Sequence, residues 1–150
     1  MRVWRLTRAP YASDPLSGRG AAIAGGRWNS PGTRIAYAAT SRALAALEML
    51  VHVTRDTVPP DMVFVPIDVP DRLVRGASGL PADWADLPYG PDAQRFGDRW
   101  AGEARSLALA VPSIVVPAER NLLMNPRHRA FGRVRVGAPE PFAFDRRLLR

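Results

Sequence analysis

The run Arg34-Ile35-Ala36-Tyr37-Ala38-Ala39-Thr40-Ser41-Arg42-Ala43-Leu44-Ala45-Ala46-Leu47-Glu48-Met49-Leu50-Val51-His52-Val53 changes its period halfway along. Residues 34–38 read as a strand. Thr40 or Ser41 then offers a side-chain oxygen to cap the first free amides of a helix through about Val53. The apolar positions Ala43, Leu44, Leu47, Leu50 and Val51 recur every three or four residues, as a core-facing helical stripe requires. At 100° per residue Glu48 falls on the border of that stripe, beside Leu44 and Val51, so a cleft flanking the helix is expected to receive its carboxylate.

Working outward, Arg2–Thr7 alternates polar and apolar residues and reads as a strand. Residues Ala9–Pro31 are rich in Gly, Pro, Asp and Ser and predict a long, ordered loop. On the C-terminal side Val63–Val69 reads as a strand, with Pro66 suggesting an edge or a bulge. After a turn-rich connection from Asp71 to Pro91, the spacing of Phe96, Trp100, Ala104 and Leu107 predicts a helix from Asp92 to about Leu109. Ser113–Val116 reads as a buried strand, Asn121–Pro126 as a turn, and Gly132–Val136 and Pro141–Phe144 as short strands. This order predicts one α+β domain over residues 1–150, a mixed or antiparallel sheet with a few helices, rather than a doubly wound α/β fold.

Composition removes several chemistries. Apolar residues make up 47% of the chain and charged residues 23%, proportions of a folding domain rather than a disordered one. The net charge is +7, and every basic residue is an arginine. Without lysine there is no Schiff base, pyridoxal phosphate attachment or P-loop; without cysteine there is no disulfide, thiolate nucleophile, cysteine zinc site or iron–sulfur cluster. Only His52 and His128 are present, so no metal site is expected. Gly18-Arg19-Gly20 lacks the third glycine of a dinucleotide fingerprint, and no serine-hydrolase elbow occurs. No signal-peptide run or membrane-length apolar stretch is found, so a soluble cytoplasmic protein without a membrane partner is expected.

What remains is a scarce acid among arginines. Glutamate occurs at Glu48, Glu103, Glu119 and Glu140, and Glu48 alone borders a strongly apolar helical face. Its position also suits a helix-surface pairing with His52 or Arg55, worth about 0.3 kcal/mol. Arg27 follows Gly25-Gly26, where the backbone can approach closely and a guanidinium can fork onto a phosphate. Tyr37 closes a strand before the helix, and Ser113 follows Pro112 at the head of a buried strand.

Together, Gly26-Arg27-Trp28-Asn29, Tyr37, Ala45-Ala46-Leu47-Glu48, Pro112-Ser113 and the segment Asn121 to Asn125-Pro126 resemble the RES-domain toxins of bacterial RES–Xre toxin–antitoxin modules. The resemblance runs from about Val3 to Phe144. It implies a fold similar to ADP-ribosyltransferase toxins and an enzyme that consumes NAD+ by cleaving the nicotinamide–ribose bond, with NAD+ as substrate and no cofactor. Carried over by motif position, Arg27, Glu48 and Ser113 are the arginine, glutamate and serine of the family's name. Glu48 would stabilise the sugar cation and Arg27 would pair with the pyrophosphate. Tyr37 would stack on the nicotinamide, Ser113 would hydrogen-bond the ribose or amide side, Asn121 would add a polar contact, and Arg5 a second phosphate contact. The resemblance also implies a cognate Xre-type antitoxin that covers the active site in a hetero-oligomer, with DNA bound only through that partner.

The family is described as passing ADP-ribose to water, phosphate or protein, and a small acceptor is the preferred expectation. A mono-ADP-ribosyltransferase acting on a cellular protein is the alternative. A non-enzymatic nucleic-acid binder would use the same positive charge, but the arginines are scattered and no helix-turn-helix, RRM or zinc-finger motif accompanies them. An inactive member that only binds its antitoxin is the remaining rival.

Overall fold

The computed structural model describes residues 1–149. The chain forms β1 (Arg2–Arg8), α1 (Arg19–Ala24), β2 (Ala36–Ala39), α2 (Arg42–Leu50), β3 (Met62–Asp68) and β4 (Val74–Gly76). There follow α3 (Pro91–Glu103), β5 (Ala108–Pro112), β6 (Arg120–Met124), β7 (Arg135–Val136) and β8 (Glu140–Pro141). The strands make one eight-stranded sheet in the order β4-β5-β6-β2-β1-β3-β7, with β8 also pairing β3. All pairings are antiparallel except β4 with β5, which α3 connects. The architecture is the expected α+β one.

Registers sort the side chains into two faces. Val3 of β1, Ala36 and Ala38 of β2, Val65 and Ile67 of β3, Ala108 of β5 and Leu122 and Met124 of β6 share one apolar cluster. Strands β3 and β5 are separated by three others in the sheet, so their meeting in one cluster means that the sheet curls around this core. The outer face carries two clusters. Leu44 and Ala45 of α2 pack with Leu6, Ala39 and Phe64, while Ala93 and Phe96 of α3 pack with Trp28, Leu109, Val111 and Leu123. The ground between these clusters is where the candidate site lies.

The strand-to-helix change at residues 34–53 occurs with modified ends. Ser41 is the N-cap, its Oγ accepting the Leu44 N–H at 3.0 Å. The helix stops at Leu50, short of Val53, and its buried residues are Leu44 and Ala45; Ala43, Leu47 and Val51 of the predicted stripe are exposed. The packing face of α2 is rotated from the predicted stripe, with Ala46, Met49 and Leu50 packed partly buried against the same cluster as Leu44 and Ala45, and Glu48 lies one turn beyond Leu44.

Other boundaries move for identifiable reasons. The predicted loop Ala9–Pro31 contains α1, and the predicted connection Asp71–Pro91 contains β4. The second helix ends at Glu103 rather than near Leu109, because Ala104 takes a left-handed conformation at φ 49°. Leu107 therefore packs in the core at the entrance to β5 instead of on a helix. Ser113–Val116 lies just past β5, and Asn121–Pro126, predicted as a turn, contributes most of the interior strand β6. The short tail strands shrink to β7 and β8. Pro66 sits inside β3 without cost to the β1 ladder: its carbonyl accepts the Gly137 N–H at 2.8 Å, so its donorless nitrogen also faces away from β1.

Candidate active site

Five elements meet between the two outer clusters: α2, the end of β5, the start of β6, β2, and the loop after α1. Ser113 follows β5 and Asn121 is the second residue of β6, so antiparallel pairing brings both to one end of the strand pair. There Ser113 Oγ donates to Glu48 Oε1 at 2.7 Å, and Asn121 Nδ2 donates to the same oxygen at 2.5 Å. Glu48 Oε2 has no protein partner among the described residues. One oxygen is pinned and the other is left to a ligand.

Ser113 is fully buried, and its hydroxyl is fully used. It accepts the N–H groups of Val115 and Val116, each at 3.0 Å, while giving its hydrogen to Glu48. A contact from Ser113 to a ribose, as expected from the resemblance, has no hydrogen left to use; the serine positions Glu48 instead. Ser41 Oγ bonds Glu119 Oε2 at 3.0 Å, tying the start of α2 to the same β5–β6 connection. The helix-surface partners considered for Glu48 do not form, because α2 ends before His52 and Arg55.

Arg27 stands on the loop after α1. Its Nη1 donates to the carbonyls of Trp84 at 2.8 Å and Asp86 at 2.9 Å, and its guanidinium carbon lies 5.4 Å from the centre of the Tyr89 ring. Both hydrogen bonds use Nη1, which leaves the Nε–Nη2 edge for a two-point contact with an anion. Burial lowers the Arg27 pKa from the ordinary arginine value, and the negative charge of Glu48 is the largest influence raising it again, ahead of Tyr89, Asp86 and Asp83. That coupling puts the expected acid and base in one electrostatic neighbourhood.

The Arg27 loop rests on Asn29, quoted in the sequence motif but given no role there. Asn29 is fully buried, and its Nδ2 donates to the carbonyls of Ala21, Ser30 and Thr33 at 2.8, 3.1 and 3.1 Å. Its Oδ1 accepts the Tyr37 hydroxyl at 2.6 Å. Gln94 of α3 adds bonds to the carbonyls of Gly26 and Asn29. A side chain at Gly26 would come within 3.0 Å of both Asn29 Oδ1 and the Tyr37 hydroxyl. The glycine thus makes room for this internal contact. An asparagine between glycines and a proline is the signal that could have identified the loop's organiser.

Tyr37 shares the outer face with Leu123 and contributes a ring to the floor. Burial pushes its hydroxyl above the ordinary tyrosine range, so it remains a donor to Asn29. Arg5 does not join the group. It pairs in register with Val65, whose side chain belongs to the inner core, so it projects from the face opposite Tyr37 and Asn121. There Arg5 Nη1 donates to the Tyr37 carbonyl at 2.7 Å, and desolvation lowers its pKa. The expected second phosphate contact fails on strand parity.

The RES domain model matches residues 2–145. A Prs ADP-ribosylating toxin from Sphingobium sp. is 40% identical, over 98% of this chain and 96% of its own length. Toxin Res from Photorhabdus laumondii is 35% identical, over 100% of this chain and 98% of its own. The fold also matches the crystal structure of the M. tuberculosis MbcT–MbcA toxin–antitoxin complex, with a TM-score of 0.71 at 22% identity over 94% of this chain and 83% of that one. With Arg27, Glu48 and Ser113 in the order the family's name gives them, and with matches that run nearly end to end, the chain belongs to the RES domain family.

Proposed function

We propose that the chain is the toxin of a toxin–antitoxin module and cleaves the nicotinamide–ribose bond of NAD+, depleting NAD+ and arresting growth. The observation that carries this reading is the asymmetric carboxylate: Glu48 Oε1 fixed by Ser113 and Asn121, Oε2 without a protein partner among the described residues, and Arg27 close enough for the Glu48 charge to act on it. As the bond between ribose C1′ and the pyridinium nitrogen breaks, its electron pair leaves with nicotinamide, which becomes neutral, and C1′ becomes cationic. Glu48 Oε2 stabilises that cation. At an effective dielectric near 20 and a separation near 4 Å, such a contact is worth about 4 kcal/mol before desolvation costs.

Arg27 grips the pyrophosphate through its free edge, while Tyr37 supplies a face for the nicotinamide ring. Water or phosphate then bonds to C1′; an attacking water loses one proton to solvent. NAD+ is the substrate and no cofactor takes part. A second reading transfers ADP-ribose to a protein, and the relative named as an ADP-ribosylating toxin favours it.

The partner is an Xre-type antitoxin that covers this hollow in a hetero-oligomer and supplies any DNA contact. Exposed Leu47 and Val51 on the Glu48 helix, and Leu87 and Tyr89 beside the carbonyls that hold Arg27, give it apolar anchorage. The net charge of +7 suits an acidic antitoxin surface. The module acts in the cytoplasm, where its substrate is; no helix among the described residues is long and apolar enough to cross a membrane.

The test is purified protein incubated with NAD+, with and without phosphate, followed by identification of the products. Free nicotinamide with ADP-ribose or its phosphate ester is expected. Slow NAD+ loss beside rapid labelling of one protein when cell extract is added would replace the small acceptor by the protein one, and intact NAD+ without labelling in every condition would refute the enzymatic reading.

A further inference from the structure

Strands β5 and β6 have a second end. Opposite the Glu48 hollow, the residues before β5, the loop after β6 and the start of β4 enclose a cleft of about 710 Å³, within the size range of small-molecule sites. From Ser106 at this end to Ser113 at the other, the extended chain covers roughly 23 Å, so the two sites are separate. Arg72, Arg75, Arg105, Arg129, Arg133 and His128 line the cleft. Arg105 has a carboxylate, Glu103, at 3.3 Å. The other four guanidiniums have neither an ion pair nor a hydrogen bond among the described residues. Because the whole chain uses arginine in place of lysine, the information lies in the clustering and not in the residue type.

The walls are firm. Buried Asn125 donates Nδ2 to the Ala101 carbonyl at 2.8 Å and accepts the Arg127 N–H at 3.0 Å, fastening the loop after β6 to the end of α3. Ser106 Oγ accepts the Trp100 indole N–H at 2.9 Å. His128 Nδ1 accepts the Ala130 N–H at 3.1 Å, so the neutral ring carries its proton on Nε2 as a further donor. Like charges held around one cavity repel, and an anion that enters relieves the repulsion while taking charge-assisted hydrogen bonds.

We propose that this cleft binds a small anion carrying two or more phosphate groups. The number of guanidiniums exceeds what a single phosphate can engage. The concave shape suits a compact ligand better than a duplex, which a projecting helix or ribbon would read. No phenylalanine, tyrosine or tryptophan lines the cleft and His128 is its one ring among the described residues, so a run of stacked bases finds little platform there.

The experiment is calorimetric titration of the full chain with sodium tripolyphosphate, ATP and a short DNA duplex at fixed ionic strength. Saturable 1:1 tripolyphosphate binding is expected, weakened roughly tenfold for each guanidinium removed in Arg129→Ser and Arg133→Ser. Arg72→Ser with Arg75→Ser, on a different wall, should weaken it similarly, so a folding defect in one loop cannot imitate the result. Arg55→Ser, at an exposed arginine outside both the cleft and the Glu48 site, should bind tripolyphosphate as wild type does. Equal affinity for ATP and tripolyphosphate identifies a bare phosphate chain as sufficient, and tighter ATP binding identifies a nucleotide; either supports the site. The proposal is overturned by no saturable tripolyphosphate binding, by binding that depends on Arg27 but not on the cleft arginines, or by duplex binding that tripolyphosphate does not displace.

Discussion

The two ends of the β5–β6 pair are built on opposite terms. At one end a single carboxylate has one oxygen held by two donors, and the serine that holds it has no unused hydrogen-bonding capacity. At the other end five arginines share a cleft, and four have no partner among the described residues. The first arrangement fixes an atom in space; the second accumulates potential without fixing where a ligand's atoms will lie. They should answer differently to salt. Hydrogen bonds inside a half-buried site are little screened, whereas exposed guanidiniums lose much of their field beyond a Debye length of about 10 Å at 0.1 M salt.

The strongest way to break this contrast is Glu48→Gln. Glutamine keeps an oxygen for Ser113 and Asn121 and removes only the charge, so NAD+ turnover should fall by roughly 10²–10³ while the protein stays folded. Tripolyphosphate binding at the far cleft should not change. Measuring both in one preparation decides whether the ends are independent; parallel losses would show that they are not.

Next in size come the two residues that hold Oε1. Ser113→Ala and Asn121→Ala each free the carboxylate to rotate, and kcat should drop roughly 10–10², with KM little altered for Ser113→Ala, whose hydroxyl has no hydrogen left for substrate, and raised for Asn121→Ala if its second Nδ2 hydrogen makes the expected polar contact. The double variant should lose less than the product of the single losses, since both act on one atom. A rise in KM for Ser113→Ala would restore a direct substrate contact for Ser113. That variant also leaves the Val115 and Val116 N–H groups without their acceptor, at about 1–3 kcal/mol of stability.

These residues also show where sequence reading succeeds and where it stops. Glu48 was visible because a carboxylate next to an apolar helical face must have somewhere polar to go, although that face runs through Ala45 and Met49 rather than through Leu47 and Val51. Arg27 was visible through its glycines, yet the close approach they permit belongs to Tyr37 and Asn29. Arg5 was misplaced because strand parity cannot be known before the register is. Asn121 was assigned to a turn because Asn and Pro at the two ends of 121–126 outweighed the Leu122-Leu123-Met124 run between them, which tertiary pairing turns into an interior strand. The arginine cleft was illegible for the same reason: its residues come from three separate stretches of the chain and look scattered until the sheet gathers them.

Helix α3 touches both ends, and a third prediction uses that. A methyl group on Gly97 would stand 1.8 Å from the Trp28 carbonyl, so Gly97→Ala must push the helix off the Arg27 loop. A loss of about 1–3 kcal/mol in denaturant unfolding is expected. If the site depends on this seating, KM for NAD+ rises through Arg27 while tripolyphosphate affinity changes less, since the helix reaches the cleft only at its last turn.

The smallest effect concerns the floor of the acidic end. Tyr37→Phe deletes the hydroxyl that donates to Asn29 Oδ1, a bond worth about 1 kcal/mol near neutral pH. Burial raises the Tyr37 pKa in the folded chain above its unfolded value, so the fold prefers the neutral phenol. The stability this contributes is fully present below the ordinary tyrosine pKa of about 10 and is lost as pH climbs from there towards the folded value. Wild type should therefore weaken above about pH 10 more steeply than Tyr37→Phe, and the gap between them should close as the solution becomes more alkaline. Urea melts of both proteins from neutral pH upward read this directly. A constant gap across that range would mean that the phenol is not held neutral by burial, and no gap at any pH would mean that the loop carrying Arg27 rests on Asn29 without help from the strand beneath it.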